Sequence, residues 1–223
     1  MSVATQGQPE TKPFDKYEKR GAYHWTWYEI NRNSYRENVD FVLSYLPDQG
    51  SVLDIGGGDG LISFKLFEKG FRVACLDTSR VGIALARACF ERAIYGQRQW
   101  ARVARKALSR VRIKQTALMR RYEAGEATFL TQSVFDMPFD DQYDYVVCHE
   151  VIEHVPEPER LLQIIHQLMR RYAIISTPDA TGRPQHPLDY FSWTPQTFGD
   201  LLKPYCYEFI RQDGWSIYVK LYK

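Results

Sequence analysis

Short apolar runs alternate with amphipathic segments through the middle of the chain. The run Ser51–Ile55 is followed by helical spacing of apolar positions over Leu61–Lys69, and a second run at 71–76 is followed by another helical stretch from about Arg80. Further strands are predicted near 128–130, 143–148 and 172–176, with a helix over 158–169. Strands that alternate with helices predict a mostly parallel sheet with helices on both faces.

The two ends of the chain differ from this middle part. Aromatic residues crowd positions 17–28, and apolar residues at helical spacing then continue to Pro47, so a helical cap is predicted over residues 14–49. At the other end a helix is predicted over Pro195–Leu202. Two strands follow and meet at an Asp-Gly pair, which is a strong hairpin signal. The predicted architecture is a doubly wound sheet that ends in an antiparallel hairpin.

Length and composition fit one globular domain. The chain has 223 residues, of which 44% are hydrophobic and 25% charged. A single domain is predicted over 14–223, after a polar segment at 1–13 that we expect to be a mobile tail. No apolar run reaches the roughly 20 residues that cross a bilayer, and no secretory signal is present, so we expect a cytoplasmic protein without a transmembrane segment. The four cysteines are widely spaced and are expected to be reduced.

A near-neutral net charge of +2 conceals one strongly basic stretch. Between Arg92 and Arg121 there are ten Lys or Arg residues and no acidic residue, which leaves the rest of the chain at −8. Apolar residues such as Trp100, Val103 and Leu118 fall at helical spacing, so a helical basic insertion is predicted over about 95–124. It would suit phosphates, an anionic membrane surface or a protein partner; a surface helix or a dimer contact is the alternative.

Glycines follow the first predicted strand. Gly56, Gly58 and Gly60 stand where this strand turns into a helix, so the backbone can approach a ligand and the helix N-terminus offers free N–H groups. The second strand ends at Asp77, and an acid at this offset can accept hydrogen bonds from both hydroxyls of a ribose. The glycine spacing differs from that of dinucleotide sites, and no Gly-Lys-Ser/Thr follows. A nucleoside without a pyrophosphate fits better, with a tight turn that binds nothing as the alternative.

Three segments of the chain form a recognisable set. They are Leu-Asp-Ile-Gly-Gly-Gly-Asp-Gly at 53–60, Asp77, and Tyr-Asp-Tyr-Val-Val-Cys-His-Glu-Val-Ile-Glu-His at 143–154. The set resembles the motifs of class I S-adenosylmethionine-dependent methyltransferases, over about residues 50–180. The resemblance implies a Rossmann-like α/β fold with a seven-stranded, mostly parallel sheet. It also implies S-adenosylmethionine as the cofactor and S-adenosylhomocysteine as the product.

The resemblance further implies which residues contact the cofactor. They are Asp54, Gly56, Gly57, Gly58, Gly60, Asp77, Thr78, Ser133, Val134 and Cys148. Asp54 and the glycines would contact the amino-acid portion, Asp77 the ribose, and Ser133 with Val134 the adenine. Cys148, His149 and Glu150 would line the methyl-donor site. The family often has an acid at the position of Ser133, so the adenine contact departs from the pattern, and Asp136 is a nearby substitute.

Methyl transfer from a sulfonium is an in-line displacement, so alignment of the acceptor in a dry pocket supplies most of the acceleration. A base near the cofactor helps when the acceptor is a hydroxyl or an amine. The candidates are His149, Glu150, Glu153, His154 and His186. Of these we prefer His154 and Glu150 as catalytic residues, with His186 as the third. The aromatic residues at 23–28 are expected either to close over the pocket or to pack the first helix onto the sheet.

A metal site is the alternative role for part of this set. Glu150, Glu153 and His154 are spaced to share one face of a helical turn. With His186 they are similar to the Glu-x-x-Glu-His motif and later His that hold Mg²⁺ or Mn²⁺ in small-RNA 3′-terminal 2′-O-methyltransferases. The same pattern is frequent in metal-free members of the wider family, so our prediction is that no metal is bound.

Three functions remain from the sequence. The preferred one is methyl transfer to an oxygen or nitrogen of a small-molecule or glycan-like acceptor. An alternative is metal-dependent 2′-O-methylation of RNA, with nucleic acid bound through the basic stretch between Arg92 and Arg121. A second alternative is a cofactor-binding interaction subunit without catalysis. The oligomeric state stays open.

Overall fold

The central sheet forms from strands that follow the apolar runs of the sequence. The computed structural model describes residues 16–47, 49–96, 109–140, 142–182 and 186–223, with the backbone alone at 109–115. Within these residues the strands are β1 Ser51–Ile55, β2 Arg72–Asp77, β3 Ala127–Thr131, β4 Tyr143–His149, β5 Met169–Pro178, β6 Tyr207–Gln212 and β7 Ser216–Tyr222. Every predicted strand is confirmed within a few residues.

Eight helices accompany the strands in the described ranges. They are α1 Lys16–Arg20, α2 Tyr23–Ile30, α3 Tyr35–Ser44, α4 Leu61–Lys69, α5 Arg80–Tyr95, α6 Ser109–Glu123, α7 Pro158–Leu168 and α8 Pro195–Leu202. Local signals explain several bounds: the Ser79 hydroxyl accepts a hydrogen bond from the backbone of Gly82 at the start of α5, and Thr194 caps α8 ahead of Pro195. No described helix is both long and apolar enough to cross a bilayer.

The strand order is β3-β2-β1-β4-β5-β7-β6. The first five strands in this order pair in parallel, while β7 runs antiparallel to both β5 and β6. Asp213 accepts hydrogen bonds from the backbone of Trp215 and Ser216 in the turn that joins β6 to β7, and Gly214 takes a φ of 76°. The predicted parallel sheet with a C-terminal antiparallel hairpin is therefore confirmed.

Helices cover both faces of the sheet. On one face Leu161 of α7 and Phe198 of α8 are fully buried against the strands. On the other face Val42 of α3, Phe67 of α4 and Phe90 of α5 are fully buried. Each such side chain contributes about 1.5–3 kcal/mol of burial free energy. The helical spacing of apolar residues thus marks the positions that join each helix to the sheet.

The order of the strands reverses at β1, since β2 and β3 lie to one side of it and β4 and β5 to the other. At such a switch point the loops that leave neighbouring strands diverge and open a crevice beyond the carboxyl ends of the strands. The glycine loop after β1, Asp77 at the end of β2 and His149 at the end of β4 all lie at this edge. The topology therefore gathers the predicted site residues.

The predicted N-terminal cap consists of three short helices, α1 to α3, and the helical pattern is interrupted between them. Asn31, Asn33 and Ser34 have φ values of 52°, 52° and 58°, a left-handed conformation that ends α2 and separates it from α3. The predicted tail at 1–13 lies outside the described residues. The division of the chain into a tail and a single domain stays a prediction.

The basic insertion is described in its second half. The helix α6 confirms a helix there, whereas Trp100 and Val103 lie outside the described residues. The guanidinium of Arg121 donates to the backbone oxygens of Phe67 and Phe71 at 2.8 and 2.6 Å and to the Glu126 carboxylate at 2.7 Å. This arginine therefore holds α6 against the end of α4 and does not present its charge to a partner.

Candidate active site

A cavity of about 930 Å³ opens at the carboxyl ends of β1, β2, β4 and β5. Its walls come from the glycine loop, the segments 132–135, 149–156, 177–180 and 186–193, and the aromatic cap. Ligand pockets commonly measure about 300–1,000 Å³, so this cavity is large enough for a nucleoside-sized ligand beside a second small molecule.

Two loop glycines permit close packing beneath the cavity. Gly56 and Gly58 have φ values of 70° and 53°, which favour glycine. A Cβ at Gly56 would collide with Val151, and one at Gly58 would collide with the hydroxyl of Tyr17. Gly56 and its neighbour Gly57 line the cavity, whereas Gly58 and Gly60, the residue that precedes α4, are not part of the wall.

Asp77 joins the glycine loop to the start of α5. One carboxylate oxygen accepts a hydrogen bond from the Gly58 backbone at 2.9 Å, and the other accepts from the Ser79 backbone at 2.7 Å. Burial raises the pKa of Asp77, and these hydrogen bonds oppose the rise. Asp77 lines the cavity beside the exposed Thr78, and its contact with a ribose stays a prediction.

Asp54 lies at the end of β1 and is 1% exposed. Its carboxylate accepts a hydrogen bond from the Ser63 hydroxyl of α4 at 2.6 Å. Burial raises the pKa of Asp54 to about 7. Near neutral pH this group therefore exchanges a proton readily, and a cationic ligand next to it would favour its ionised form.

The predicted adenine region forms one wall of the cavity. Gln132, Ser133 and Val134 line it, and the Gln132 backbone donates to the carbonyl of Asp77 at 3.2 Å. The Ser133 hydroxyl accepts from the Phe135 backbone at 3.2 Å and so caps the turn that follows. Gln132 was missed in the sequence, where nothing but its position after β3 marks it.

Cys148 is placed differently from the expectation. Its side chain is fully buried in the core on the face covered by α7, and it does not line the cavity. Successive side chains of a strand point to opposite faces, so the cavity receives His149 and the core receives Cys148. Burial raises the pKa of the Cys148 thiol well above its usual range.

Asp59 fastens the cap to the glycine loop. Its fully buried carboxylate accepts from the His24 backbone at 2.9 Å and lies 3.2 Å from Nδ1 of the same histidine. The Trp25 indole donates to the backbone oxygen of Asp59 at 2.9 Å. Through these bonds the cap brings Tyr17 and Trp27 into the cavity wall. The sequence signal was an acid among glycines, which sequence reasoning left without a role.

Glu150 and His149 are held by one serine at the end of β4. Glu150 has a φ of 53°, which is uncommon for a residue with a side chain, and its backbone N–H donates to the carbonyl of Ser176 at 3.1 Å. The Ser176 hydroxyl lies 2.6 Å from Nδ1 of His149. Burial lowers the pKa of His149. Backbone strain supported by such contacts is frequent at functional sites, and both residues line the cavity.

The structure brings His154 and His186 to one carboxylate. Nδ1 of His154 is 3.1 Å from Oδ1 of Asp189, and Nδ1 of His186 is 3.6 Å from the same oxygen. Burial lowers the pKa of His154, while Asp189 acts in the opposite direction. The ring is therefore neutral near pH 7 and able to accept a proton. Asp189 was missed in the sequence; its spacing of three residues from His186 was the available signal.

The predicted helical turn at 150–154 is wrong. Glu150 is left-handed, and the 3₁₀ turn covers only Ile152–His154. Glu153 is 2% exposed, and burial together with the nearby Glu150 raises its pKa well above the usual range. Among the described residues no group of three or more His, Cys, Asp or Glu side chains is arranged to hold a metal ion. That no metal is bound here stays a prediction.

The cavity wall is acidic in the part of the chain that the structure describes. Eight Asp or Glu residues line it, against one lysine, one arginine and four histidines. The lysine is Lys16 of the cap, and it faces Glu150, Glu153 and Asp189. Cations and neutral molecules are therefore favoured in this cavity over anions.

Comparison with known proteins agrees with this geometry. A family model described as a methyltransferase domain matches residues 27–210. The ubiquinone biosynthesis O-methyltransferase of Pasteurella multocida is 25% identical over 173 residues, which are 74% of this chain and 63% of that protein. The chain spans between 39% and 63% of the length of the curated relatives it matches.

Solved structures share the fold. The magnesium protoporphyrin IX methyltransferase of Synechocystis PCC 6803, crystallised with S-adenosylmethionine, has a TM-score of 0.60 at 17% identity, with 94% of each chain covered. A small RNA methyltransferase has a TM-score of 0.58 at 18% identity, with 84% of this chain and 25% of that chain covered.

The fold and the site define a class I methyltransferase: a sheet that reverses its order at β1, a glycine loop at that point and an acid at the end of β2. The chain belongs to the methyltransferase-domain family. It is an S-adenosylmethionine-dependent methyltransferase domain, as the sequence motifs predicted.

Proposed function

We propose that the protein methylates a hydroxyl oxygen of a small-molecule acceptor and that His154 takes the hydroxyl proton. We call the part of the cavity lined by Asp54, Gly56 and Asp77 the cofactor end. The acceptor end is the part lined by Glu153, His154, Thr177, Asp189 and Trp193. The observation that carries the proposal is the His154–Asp189 pair, which lies in the wall of the same cavity as the cofactor end.

The surroundings of His154 assign a role to each ring nitrogen. Nδ1 lies 3.1 Å from Asp189 and 3.3 Å from the carbonyl of Leu188, so the proton of the neutral ring resides there. Nε2, which lies 4.0 Å from Oε1 of Glu153, is then the nitrogen that accepts a proton. Asp189 orients the ring and stabilises the imidazolium that forms.

When bound, S-adenosylmethionine supplies a methyl group on a sulfonium. The residues at the cofactor end would hold this molecule, and Nε2 of His154 would take the proton that the acceptor hydroxyl releases. The aromatic cap, held by Asp59, forms part of the cavity wall and so favours alignment of the two reactants.

Oxygen as the acceptor atom is also supported by the curated relatives, whose names describe them as O-methyltransferases. RNA is less well supported as an acceptor. The cavity wall is acidic, which opposes a polyanion, and Arg121 is engaged within the fold. The expected cytoplasmic location stays a prediction.

The test is methyl transfer from isotopically labelled S-adenosylmethionine to a panel of phenols, aliphatic alcohols, amines and a short single-stranded RNA. We expect mass spectrometry to place the label on a hydroxyl oxygen of a small molecule. Label on amines alone, or on RNA alone, would refute the proposal. Calorimetric binding of S-adenosylhomocysteine without transfer to any member of the panel would favour the non-catalytic alternative.

A further inference from the structure

Three buried side chains at the acceptor end carry polar atoms with no hydrogen-bond partner among the described residues. These atoms are Oε2 of Glu153, Oγ1 of Thr177 and Nε1 of Trp193. The three residues are 2%, 0% and 8% exposed, and all line the cavity. An unsatisfied buried polar atom destabilises a protein by about 1–3 kcal/mol. Three of them in one wall indicate a bound group that satisfies them.

The wall that holds these atoms is built by the fold itself. The Glu153 carbonyl accepts a hydrogen bond from the Tyr190 backbone at 2.8 Å, and the Trp193 carbonyl accepts from the Ala180 backbone at 2.8 Å. The Trp193 ring stacks on Phe191 with centroids 5.2 Å apart. Because both the backbone and the indole are held, Nε1 of Trp193 cannot turn away to find another partner.

Two of the three side chains, Glu153 and Thr177, are neighbours. Thr177 lies beside the Glu153 carboxyl and opposes the rise of its pKa, but its hydroxyl oxygen has no partner of regular hydrogen-bond geometry among the described residues. The loop that carries Trp193 is hydrogen-bonded to the segment after Thr177 through Ala180. All three side chains therefore belong to the wall of the same cavity.

The hydrogen-bonding character of the side chains restricts what that group is. The Trp193 indole only donates, so its partner must accept. The Thr177 hydroxyl donates and accepts, and the Glu153 carboxyl, whose pKa burial raises, accepts and also donates when protonated. A hydroxyl group meets all of these requirements at once, and a carbonyl meets the two donors.

Charge excludes ionised groups from the same place. Glu150 and Asp189 are neighbours of Glu153, and the only lysine of the described cavity wall, Lys16, already faces these three acids. A carboxylate or phosphate would add to this negative charge. An ammonium would leave the Trp193 donor unsatisfied.

We propose that Glu153, Thr177 and Trp193 form a subsite that binds a second, uncharged oxygen group of the acceptor, and that this subsite determines acceptor specificity. The proposal rests on the proposed function, since it assigns part of the same cavity to the acceptor. The acceptor class is thus a small molecule with at least two oxygen functions, of which one reacts and one is held.

The experiment compares three matched probes by calorimetry, with the full chain saturated with S-adenosylhomocysteine. The probes are 2-hydroxybenzyl alcohol, 2-methylphenol and 2-hydroxybenzoate, which share a phenol and differ in the adjacent group. We expect the alcohol to bind about tenfold more tightly than the methyl compound, because it supplies the missing hydrogen bonds. The carboxylate is expected to bind most weakly.

Two isosteric variants test whether the preference for the alcohol probe depends on the proposed subsite. Thr177→Val and Trp193→Phe are expected to lower the tenfold ratio to about twofold or less, with S-adenosylhomocysteine affinity unchanged. The matched controls Thr181→Val and Trp215→Phe make the same chemical changes at exposed residues outside the cavity wall and keep the ratio. The ratio is informative because a general loss of packing would weaken both neutral probes alike.

Several outcomes would overturn the subsite. They are equal affinity for the two neutral probes, tightest binding of the carboxylate, an unchanged ratio in both variants, and no binding of either neutral probe at millimolar concentration. Mg²⁺ or Mn²⁺ binding that is lost in Glu153→Gln would reassign the carboxyl to a metal. Ordered waters that keep the three atoms satisfied beside a bound probe would also overturn it.

The two proposals fail in distinguishable ways. Binding of 2-hydroxybenzyl alcohol with the expected preference, but without methyl transfer to any hydroxyl in the panel, leaves the subsite and removes the proposed function. Transfer to a hydroxyl oxygen with an unchanged ratio in the variants removes the subsite and leaves the proposed function.

Discussion

The cofactor end and the acceptor end of the cavity differ in how far their polar groups are satisfied within the chain. At the cofactor end Asp54 accepts from Ser63, and Asp77 accepts from two backbone N–H groups. At the acceptor end Glu153, Thr177 and Trp193 keep buried atoms without a partner in the described residues. In the described part of the chain, Asp54 and Asp77 are thus hydrogen-bonded before any ligand binds, whereas three buried atoms of the acceptor end are not.

This difference reflects two ways of recognising a ligand. Carboxylates that already hold the glycine loop in shape also present a fixed surface, which suits a ligand shared across a family. Buried polar atoms without a partner select strongly among ligands, because any ligand that lacks the matching group leaves them buried and unpaired. We therefore expect changes at the cofactor end to alter binding and those at the acceptor end to alter turnover and selectivity.

The largest effect is expected from His154→Ala. Removal of the proposed base should lower kcat by about a thousandfold, within the range of general base catalysis, while the Kd of S-adenosylhomocysteine changes little. Single-turnover kinetics and calorimetry measure the two quantities. His166→Ala on α7, outside the cavity wall, is the control and should leave both unchanged. A kcat within tenfold of wild type would show that another group accepts the proton.

Asp77→Ala, at the cofactor end, should mainly alter binding of the cofactor product. Loss of the acceptor for the Gly58 and Ser79 backbones is expected to weaken S-adenosylhomocysteine binding by roughly a hundredfold, since hydrogen bonds to a charged group contribute about 1.5–3 kcal/mol each. Asp144→Ala removes a carboxylate that also accepts two bonds, from Ser51 at the start of β1. This control variant should lower stability and leave the affinity for S-adenosylhomocysteine unchanged. Equal affinities of the Asp77 variant and wild type would contradict the cofactor assignment.

A pH effect is expected from Asp54. Burial raises its pKa from 3.8 to about 7, so the folded state holds a proton that the unfolded state has released. The free energy of unfolding should therefore fall as pH rises from about 4 to about 7. Between pH 5 and pH 8 the free energy of unfolding should fall by about 2 kcal/mol less in Asp54→Asn than in wild type, as measured by urea unfolding.

The control for this prediction is Asp144→Asn. Hydrogen bonds from Ser51 lower the pKa of Asp144, so its contribution to stability is present at neutral pH and is lost as the solution becomes acidic. The two variants should therefore change the pH profile with opposite sign. Parallel profiles for wild type and Asp54→Asn would show that the carboxyl titrates normally.

The smallest effect is expected where the cap meets the glycine loop. Asp59→Ala removes the acceptor for His24 and should lower the free energy of unfolding by about 1.5 kcal/mol, with faster amide exchange across α2. Asp40→Ala, which removes an exposed bond to Tyr28 within the cap, should change stability by less than about 0.5 kcal/mol. Unchanged exchange in α2 would show that aromatic packing alone holds the cap.

The cofactor end was largely predictable because its signals are local. The bounds of β1 and α4, the glycines between them and Asp77 follow from spacing over fewer than thirty positions. Positive φ values at Gly56 and Gly58 agree with the reason for placing glycine there. The predicted contacts of Asp54, Ser133 and Val134 with the cofactor stay predictions, although all three residues line the cavity.

The acceptor end was less predictable because it joins distant segments. Asp189 reaches His154 from 35 positions later in the chain, and Trp193 meets the segment after Thr177 through a loop. The helical turn assumed for 150–154 fails because a left-handed Glu150 bonded to Ser176 interrupts it. The expectation that Cys148 lines the cavity is not met, because neighbouring side chains of a strand point to opposite faces and only one of the two can face the cavity.

By itself the sequence determined the order of strands and helices, the glycine loop and the acid at the end of β2, because periodicity and glycine conformation act over a few residues. Only the tertiary structure decided which polar atoms of the described residues remain unpaired at the acceptor end, and that Asp59 joins the cap to the glycine loop. Those properties depend on burial and on partners from other strands and loops, which spacing along the chain does not encode.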